Sequence, residues 1–515
     1  MSEAFWNLGE KTKIKGLDVL GYRRYDQALE QRWVAGITTI SFRARYLSML
    51  PWILREYFES KLKSAGDTAS YDENEFKLVL RRFEMVVLLA TLHDGTGLRT
   101  YGVLGSDLYS EHEQAITDSG QVEAESERGG SVLNTYIMPC RAFGILAAES
   151  NFSALPVAIT RIGEKLHESR AEVSAQSKLL DIILNGGKIT RAALEREAHW
   201  YSVNTLESIE HEARLLRSVY TEKPEGVDVG MFDRFQLTLI WALHSIEIST
   251  DYTSTEVLNH NYRNVIVQRG AEISSVEYAW FEYELLRRIH LSSELLLQAF
   301  VQTLIDRRKG TVNEIVEEWK SESNSAPVLK EIFGWSSPPW TESLARCEES
   351  LEIESFLEDG VEPRQIRIME ALSVAVFAIG LLLVTMKQYK SVSSEHSSSI
   401  ESTVVPRLLV LIERFQRESM ETFLVAVLKE LVVGTHLHNA MRKMAAGGEC
   451  TLRFYEEGEE LRATGLEVLA GRSGDRLSNV FGHLADLGFA IRESNASFIL
   501  SDLGKELLRS REVLA

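Results

Sequence analysis

The sequence predicts a mainly α, multi-helical protein of several modules, closed by a small C-terminal α+β module resembling a winged helix. Three observations predict it. Only 9 prolines occur in 515 residues, and they fall mainly between helical stretches. That favours long helices, because proline removes an amide donor and clashes with the preceding turn. Apolar residues recur at helical spacing through most of the chain. Past residue 449 the pattern changes to short alternating runs broken by turns. Composition shifts divide the chain into a helical domain with an Arg/aromatic helix (1–170), a central helical domain (171–320), a linker (321–344), a bundle around a buried apolar helix (345–448) and the terminal module (449–515).

In chain order, residues 17–63 read as two helices. The second, from about Thr39 to Lys63, places Phe42, Tyr46, Met49, Trp52, Ile53 and Phe58 on one face, and Pro51 is expected to kink or split it. Residues 73–93 form a helix with Phe76, Leu80, Phe83, Val87 and Leu88 inward. Residues 94–130 carry turn and breaker residues and read as loop. Helix resumes over 131–170, and TRIGEKLHESRAEV reads as a solvent-facing helix of alternating charge. SKLLDIILNGGKITRAALEREAHWYSV, from Ser177, has the outline of a helix-turn-helix with Thr190 as N-cap, an outline shared by plain helical hairpins. Further helices are expected over 205–220, 231–249, Val276–Asp306 (buried face Trp280, Leu286, Ile289, Leu296, Phe300), 345–357, 364–388 and 404–445. Residues 321–343 hold three prolines and six serines and read as the linker. The terminal module begins with a strand at 450–456 (CTLRFYE). Helix 475–487 follows, ending at Gly488, then two strands around a turn at Asn495, and a last helix capped by Asp502.

Met369–Met386 is apolar enough to suggest a membrane span, but it is short for one and interrupted by Glu370 and Ser373. A helix apolar all round is buried in lipid or in a core. With no second candidate beside it, the core is expected, and no membrane partner. The N-terminus shows no secretion signal. Three scattered cysteines without a CxxC suit a reducing, cytoplasmic setting.

No reaction motif emerges. Gly186-Gly187-Lys188-Ile189-Thr190 lacks the spacing of a phosphate-binding Walker loop, and Gly95-Thr96-Gly97 lacks a third glycine and a preceding strand. His436 and His438 lie two apart on a helix and point to different faces. His211 with Glu207 and Glu212 reads as an exposed charged face, and Glu111-His112-Glu113 lies in a loop. Glu75-Phe76-Lys77 and Glu318-Trp319-Lys320 match a nuclease-like string but read as helix surface. No metal, cofactor or catalytic residue is expected.

Charge gives more. The net charge of −19, from 56 basic and 75 acidic residues, repels nucleic acid on average. Residues 11–63 run opposite to this, at +6. Arginine beside aromatics suits phosphate, bases or an acidic protein surface, so Arg23, Arg24, Arg43, Arg45, Tyr46 and Trp52 are the candidate partner or phosphate contacts. The competing reading pairs these arginines with the chain's own acids. Residues 442–515 carry −2, favouring protein docking over DNA, with Arg472, Arg476, Arg492 and Lys505 as candidate nucleic-acid contacts.

GLDVLGYRRYDQALEQRWVAGITTISFRARYLSMLPWIL, together with the Trp280–Glu294 stretch and the run from LRFYEEGEEL to DLGFAI, resembles large uncharacterised bacterial proteins encoded near phage-defence genes. The resemblance implies membership of a multi-protein defence complex. The expected function is a non-enzymatic scaffold, sensor or adaptor subunit, with partners encoded in the same operon. The alternatives are a nucleic-acid-binding regulator using the winged helix, and a nuclease-type enzyme whose acids meet only in the fold.

Overall fold

A computed structural model describes residues 18–66, 70–98, 100–147, 155–223, 229–248, 253–268, 273–321, 339–357, 369–392, 404–445, 450–472, 474–493 and 497–512. The chain is mainly helical, as predicted, with small antiparallel sheets of two or three strands. It divides into two discontinuous units: Met1–Ala28 with Asn259–Ser473, and Leu29–Leu258 with Gly474–Ala515.

The first unit is organised on helix Ser275–Arg307, predicted almost to the residue. Its start is fixed by a capping box: the Ser274 hydroxyl accepts from the Glu277 amide while the Glu277 carboxylate accepts from the Ser274 amide. Helix Ala371–Val392 packs along it and is buried over nearly all of its length. Among the described residues this is the single helix long and apolar enough to cross a membrane, and 89% of its apolar window is buried within the fold. The predicted helix 404–445 is four segments, Val404–Phe415, Met420–Val427, a π-helical turn Leu428–Val433 and Gly434–Ala445. The strand expected at 450–456 forms at Phe454–Glu457. It pairs with Glu460–Ala463, which pairs in turn with Lys309–Gly310, so it lies in this unit, whereas residues 474–515 belong to the other. Of the predicted linker, residues 322–338 lie outside the described residues, as does the predicted turn residue Asn495.

Residues 18–22 of the GLDVLGY string have a structural role here. Asp18 Oδ1 accepts from the amides of Gly21 (2.6 Å) and Tyr22 (3.1 Å), and Oδ2 from Arg23 (3.1 Å), which starts helix Arg23–Trp33. Helix Gly434–Ala445 holds the turn from outside: Asn439 Nδ2 and Lys443 Nζ donate to the Asp18 carbonyl, and the Tyr22 hydroxyl donates to the Leu431 carbonyl of the π turn. Gly21 sits at φ +74°, and a Cβ there would meet Asn439 Oδ1 at 2.8 Å. Both the left-handed backbone and the contact require glycine. Gly21→Ala is therefore expected to cost about 1–3 kcal/mol, read as a lowered denaturation midpoint.

In the second unit, helix Tyr46–Ala65 runs unbroken through Pro51 and begins seven residues later than predicted, leaving Phe42 in the preceding turn. It packs on helix Arg161–Glu168. The charged stretch 160–173 is therefore not a solvent-facing helix. It is two short helices with Leu166, Arg170 and Val173 fully buried. Residues 94–130 are not all loop: they hold helix Ser110–Ser119 and strand Gln121–Glu123. That strand pairs with Lys188–Thr190, so the Gly186-Gly187 break opens a ladder before helix Arg191–Tyr201. Thr190 caps that helix as expected, accepting from the Ala193 amide. Helix Leu477–Asp486, the hairpin Ala490–Arg492 with Phe498–Leu500, and helix Asp502–Glu512 form where expected. The cap of the last helix is Ser501, whose hydroxyl accepts from Gly504, and Asp502 instead pairs with Lys505.

Candidate functional site

The arginines of the aromatic helix are turned inward. Arg45 is fully buried, and its Nε and Nη2 donate to Glu212 Oε1 (3.3 Å) and Oε2 (2.9 Å). Its Nη1 reaches the Ser202 carbonyl and Thr205 Oγ1. Arg170 Nη1 donates to Glu212 Oε2 at 2.6 Å, and its guanidinium lies 4.6 Å from the centre of the Trp52 ring. Burial pushes the Glu212 carboxyl up, but Arg170 and Arg45 outweigh it and hold it down at about 2. Arg45, Tyr46 and Trp52 therefore present no surface to a partner, and Glu212 is not on an exposed face. For these residues pairing with the chain's own acids prevails.

Arg43 is likewise buried, and it acts as a positioning hub. Its Nε donates to both Asp486 oxygens (3.1 and 3.0 Å), Nη2 to Asn204 Oδ1 and the Val203 carbonyl, and Nη1 to the Tyr101 carbonyl (3.3 Å). The Tyr46 hydroxyl accepts from the Leu104 amide at 3.1 Å. Two buried side chains thus pin the loop that carries Tyr101. Gly102 lets the loop close, since at φ +73° its Cβ would fall 2.3 Å from Phe42 Cβ. The result is a surface: Tyr101, 58% exposed, packs edge-on against Phe42 with ring centres 5.2 Å apart. Arg492, on the C-terminal hairpin, lies over Phe498 at 5.0 Å and Tyr101 at 6.0 Å. Burial lowers the Arg492 pKa. No carboxylate among the described residues forms an ion pair with it, and Asp486 is already held by Arg43 and the Ala44 amide.

The remaining candidates are dispersed. Arg472 pairs with Glu284, and Arg476 with Glu30 at 3.2 Å. Lys505 pairs with Asp502 on an exposed helix. Arg24 is exposed and stacks on Tyr25 at 4.6 Å, while Arg23 is half-buried. Glu75 pairs with Lys61 and Glu318 with Arg307, which explains the two nuclease-like strings.

The sequence reading missed a buried cluster in the first unit. His290 Nε2 lies 3.2 Å from Glu294 Oε1 and 3.7 Å from Asp18 Oδ1, and its Nδ1 is 3.7 Å from Asp26 Oδ2. The signal was a histidine and a glutamate four apart, and so on one face, in helix Ser275–Arg307. The ligand atoms of Asp18, His290 and Glu294 lie within 4.8 Å of one another, a spacing that admits a metal ion. However, Asp18 Oδ1 already accepts two amides, and Glu294 Oε2 accepts the Gly471 amide at 3.1 Å. Burial opposes charge on His290, but hydrogen bonds and attraction from Asp26 and Glu294 outweigh it and raise its pKa to about 10. An imidazolium satisfies the cluster.

Two other buried histidines are neutral. His436 accepts from the Arg453 amide through Nε2, leaving Nδ1–H for the Val19 carbonyl. His483 Nδ1 faces the Tyr220 hydroxyl at 2.6 Å and Nε2 the Ser41 carbonyl at 2.8 Å. Burial lowers both pKa values to about 4. A depressed histidine contributes stability in full above its unfolded value, about 6.5, and loses it as pH falls through the folded value. Stability is expected to fall between about pH 6.5 and pH 4, by roughly 3 kcal/mol per histidine. Urea midpoints across that range should show the fall, and His483→Gln should flatten part of it.

The described residues form a mainly helical, two-unit protein in which Arg45, Arg170 and Glu212 pair within the fold and buried Arg43 fixes the loop that carries Tyr101. Comparison with protein-family models, with curated proteins and with solved structures finds no match to the chain.

Proposed function

We propose that this protein is a non-enzymatic adaptor subunit that docks other proteins through the Tyr101–Arg492 face. The observation that carries the reading is Arg492: a guanidinium beside two aromatic rings, without an ion-paired carboxylate among the described residues, on a loop-and-hairpin platform fixed from below by Arg43 and Tyr46. Arginine and aromatic side chains dominate the energetics of protein interfaces. The helix–hairpin–helix end is read as a wing-like docking module, with Arg492 on the wing. The setting, a bacterial antiviral complex encoded in one operon and working in the cytoplasm, rests on the sequence resemblance alone. A role as a DNA regulator is less well supported, because Arg472, Arg476 and Lys505 already have acidic partners.

Co-expression of the tagged chain with the products of adjacent genes tests this. A stable complex is expected, lost in Tyr101→Asp, while the variant keeps the wild-type melting temperature because Tyr101 is exposed. A purified protein that forms no such complex but degrades nucleic acid with Mg²⁺ or Mn²⁺ would contradict the reading.

A further inference from the structure

Resting on that docking reading, we infer that the face receives an acidic segment of a partner protein. A carboxylate sits on Arg492, and a neighbouring apolar side chain lies against Tyr101 and Phe42. The Phe498 and Tyr101 rings lie 5.0 and 6.0 Å from the Arg492 guanidinium, contacts that leave its charge in place. A guanidinium pairs well with an oxyanion, through two parallel N–H donors. Arg492 is also already partly desolvated, so the pairing costs less solvent reorganisation than at a free surface arginine.

Two anions carry the needed oxygens, a phosphate and a carboxylate, and the surroundings favour the carboxylate. Nucleic-acid affinity is built from many neutralised phosphates, each contributing a salt-dependence slope of about 0.7 for a single strand, so Arg492 by itself gives a phosphate backbone little hold. The half of the surface beside Arg492 is aromatic, and Leu98, on the loop that carries Tyr101, is 60% exposed. An acidic residue next to a leucine or phenylalanine uses both halves. A phosphate backbone uses one.

The test is a random-peptide phage library panned on the full chain and counter-selected on Arg492→Gln, with a fluorescent oligothymidylate as the phosphate arm. Expected are peptides with Asp or Glu beside Leu, Ile or Phe, weakened roughly tenfold by Arg492→Gln and several-fold by Arg492→Lys, which keeps the charge but loses the fork. Tyr101→Ala, at an exposed position that leaves the fold intact, should weaken them too. Selected peptides without acids, or insensitive to Arg492→Gln, would overturn the inference. So would Arg492-dependent binding of oligothymidylate without acidic peptides. If the co-expressed partner is released by Tyr101→Asp but not by Arg492→Gln, the docking surface stands and the carboxylate assignment falls.

Discussion

Glu212→Gln is expected to unfold the second unit at markedly lower temperature, with a loss of about 3–5 kcal/mol. The substitution leaves Arg45 and Arg170 in place, both without solvent exposure, and removes the carboxylate that pairs with both. Two buried guanidiniums then face each other across a neutral amide, whose oxygen can still accept but whose NH2 group replaces an acceptor with a donor facing Arg45 or Ser48. Arg45 Nη1 and Arg170 Nη2 also reach carbonyls of Ser202, His199 and Trp200, which supply hydrogen bonds but no opposite charge. Breaking a buried ion network by deleting one member is far costlier than replacing it entirely. The triple substitution Arg45→Met, Glu212→Leu, Arg170→Met is therefore expected to recover most of the lost stability. Thermal unfolding of single and triple variants checks this. A single variant as stable as the parent would show that water reaches the network.

The second large effect falls on His290. Its imidazolium faces Asp18, Asp26 and Glu294, with the Tyr22 ring edge-on at 6.2 Å. His290→Leu leaves three carboxylates in a mostly buried site and is expected to cost about 3–5 kcal/mol. The pH dependence has a definite sign. The folded pKa, about 10, lies above the unfolded value, so the folded state binds the proton more tightly. The contribution is complete below about pH 6.5 and is lost as pH rises through 10. Denaturation midpoints of the parent should decline between about pH 7 and pH 10, and those of His290→Leu should be flatter over that range. A variant with the parent's slope would place the proton elsewhere.

Much of the helical fold was legible because its signals are local. The spacing of Trp280, Leu286, Ile289, Leu296 and Phe300 marked helix Ser275–Arg307 as Val276–Asp306, and the capping box that fixes its start, Ser274 with Glu277, is itself a local feature. The hairpin at 490–500 follows from its alternation and flanking turns. What escaped depends on distant partners. Arg43 and Arg45 look the same in sequence whether they face water or the core. The acids that decide the matter, Asp486 and Glu212, lie 443 and 167 residues away. Helix Tyr46–Ala65 starts late because residues 39–45 are drawn into that network, with the Ala44 amide on Asp486 and the Arg43 amide on the Tyr136 hydroxyl. Strand Lys188–Thr190 is three residues long and forms only because Gln121–Glu123 meets it. At the candidate site Arg492 could be named from sequence. Its pairing with Tyr101 could not, since the loop that carries Tyr101 shows no regular pattern of its own.

The most direct test of the docking claim is hydrogen–deuterium exchange on the full chain, alone and in complex with the protein it co-purifies with. Slowed exchange should concentrate in residues 100–104 and in the hairpin strands Ala490–Arg492 and Phe498–Leu500. Unchanged exchange there, with protection centred instead on the exposed Arg24 region or around the His290 cluster, would contradict it.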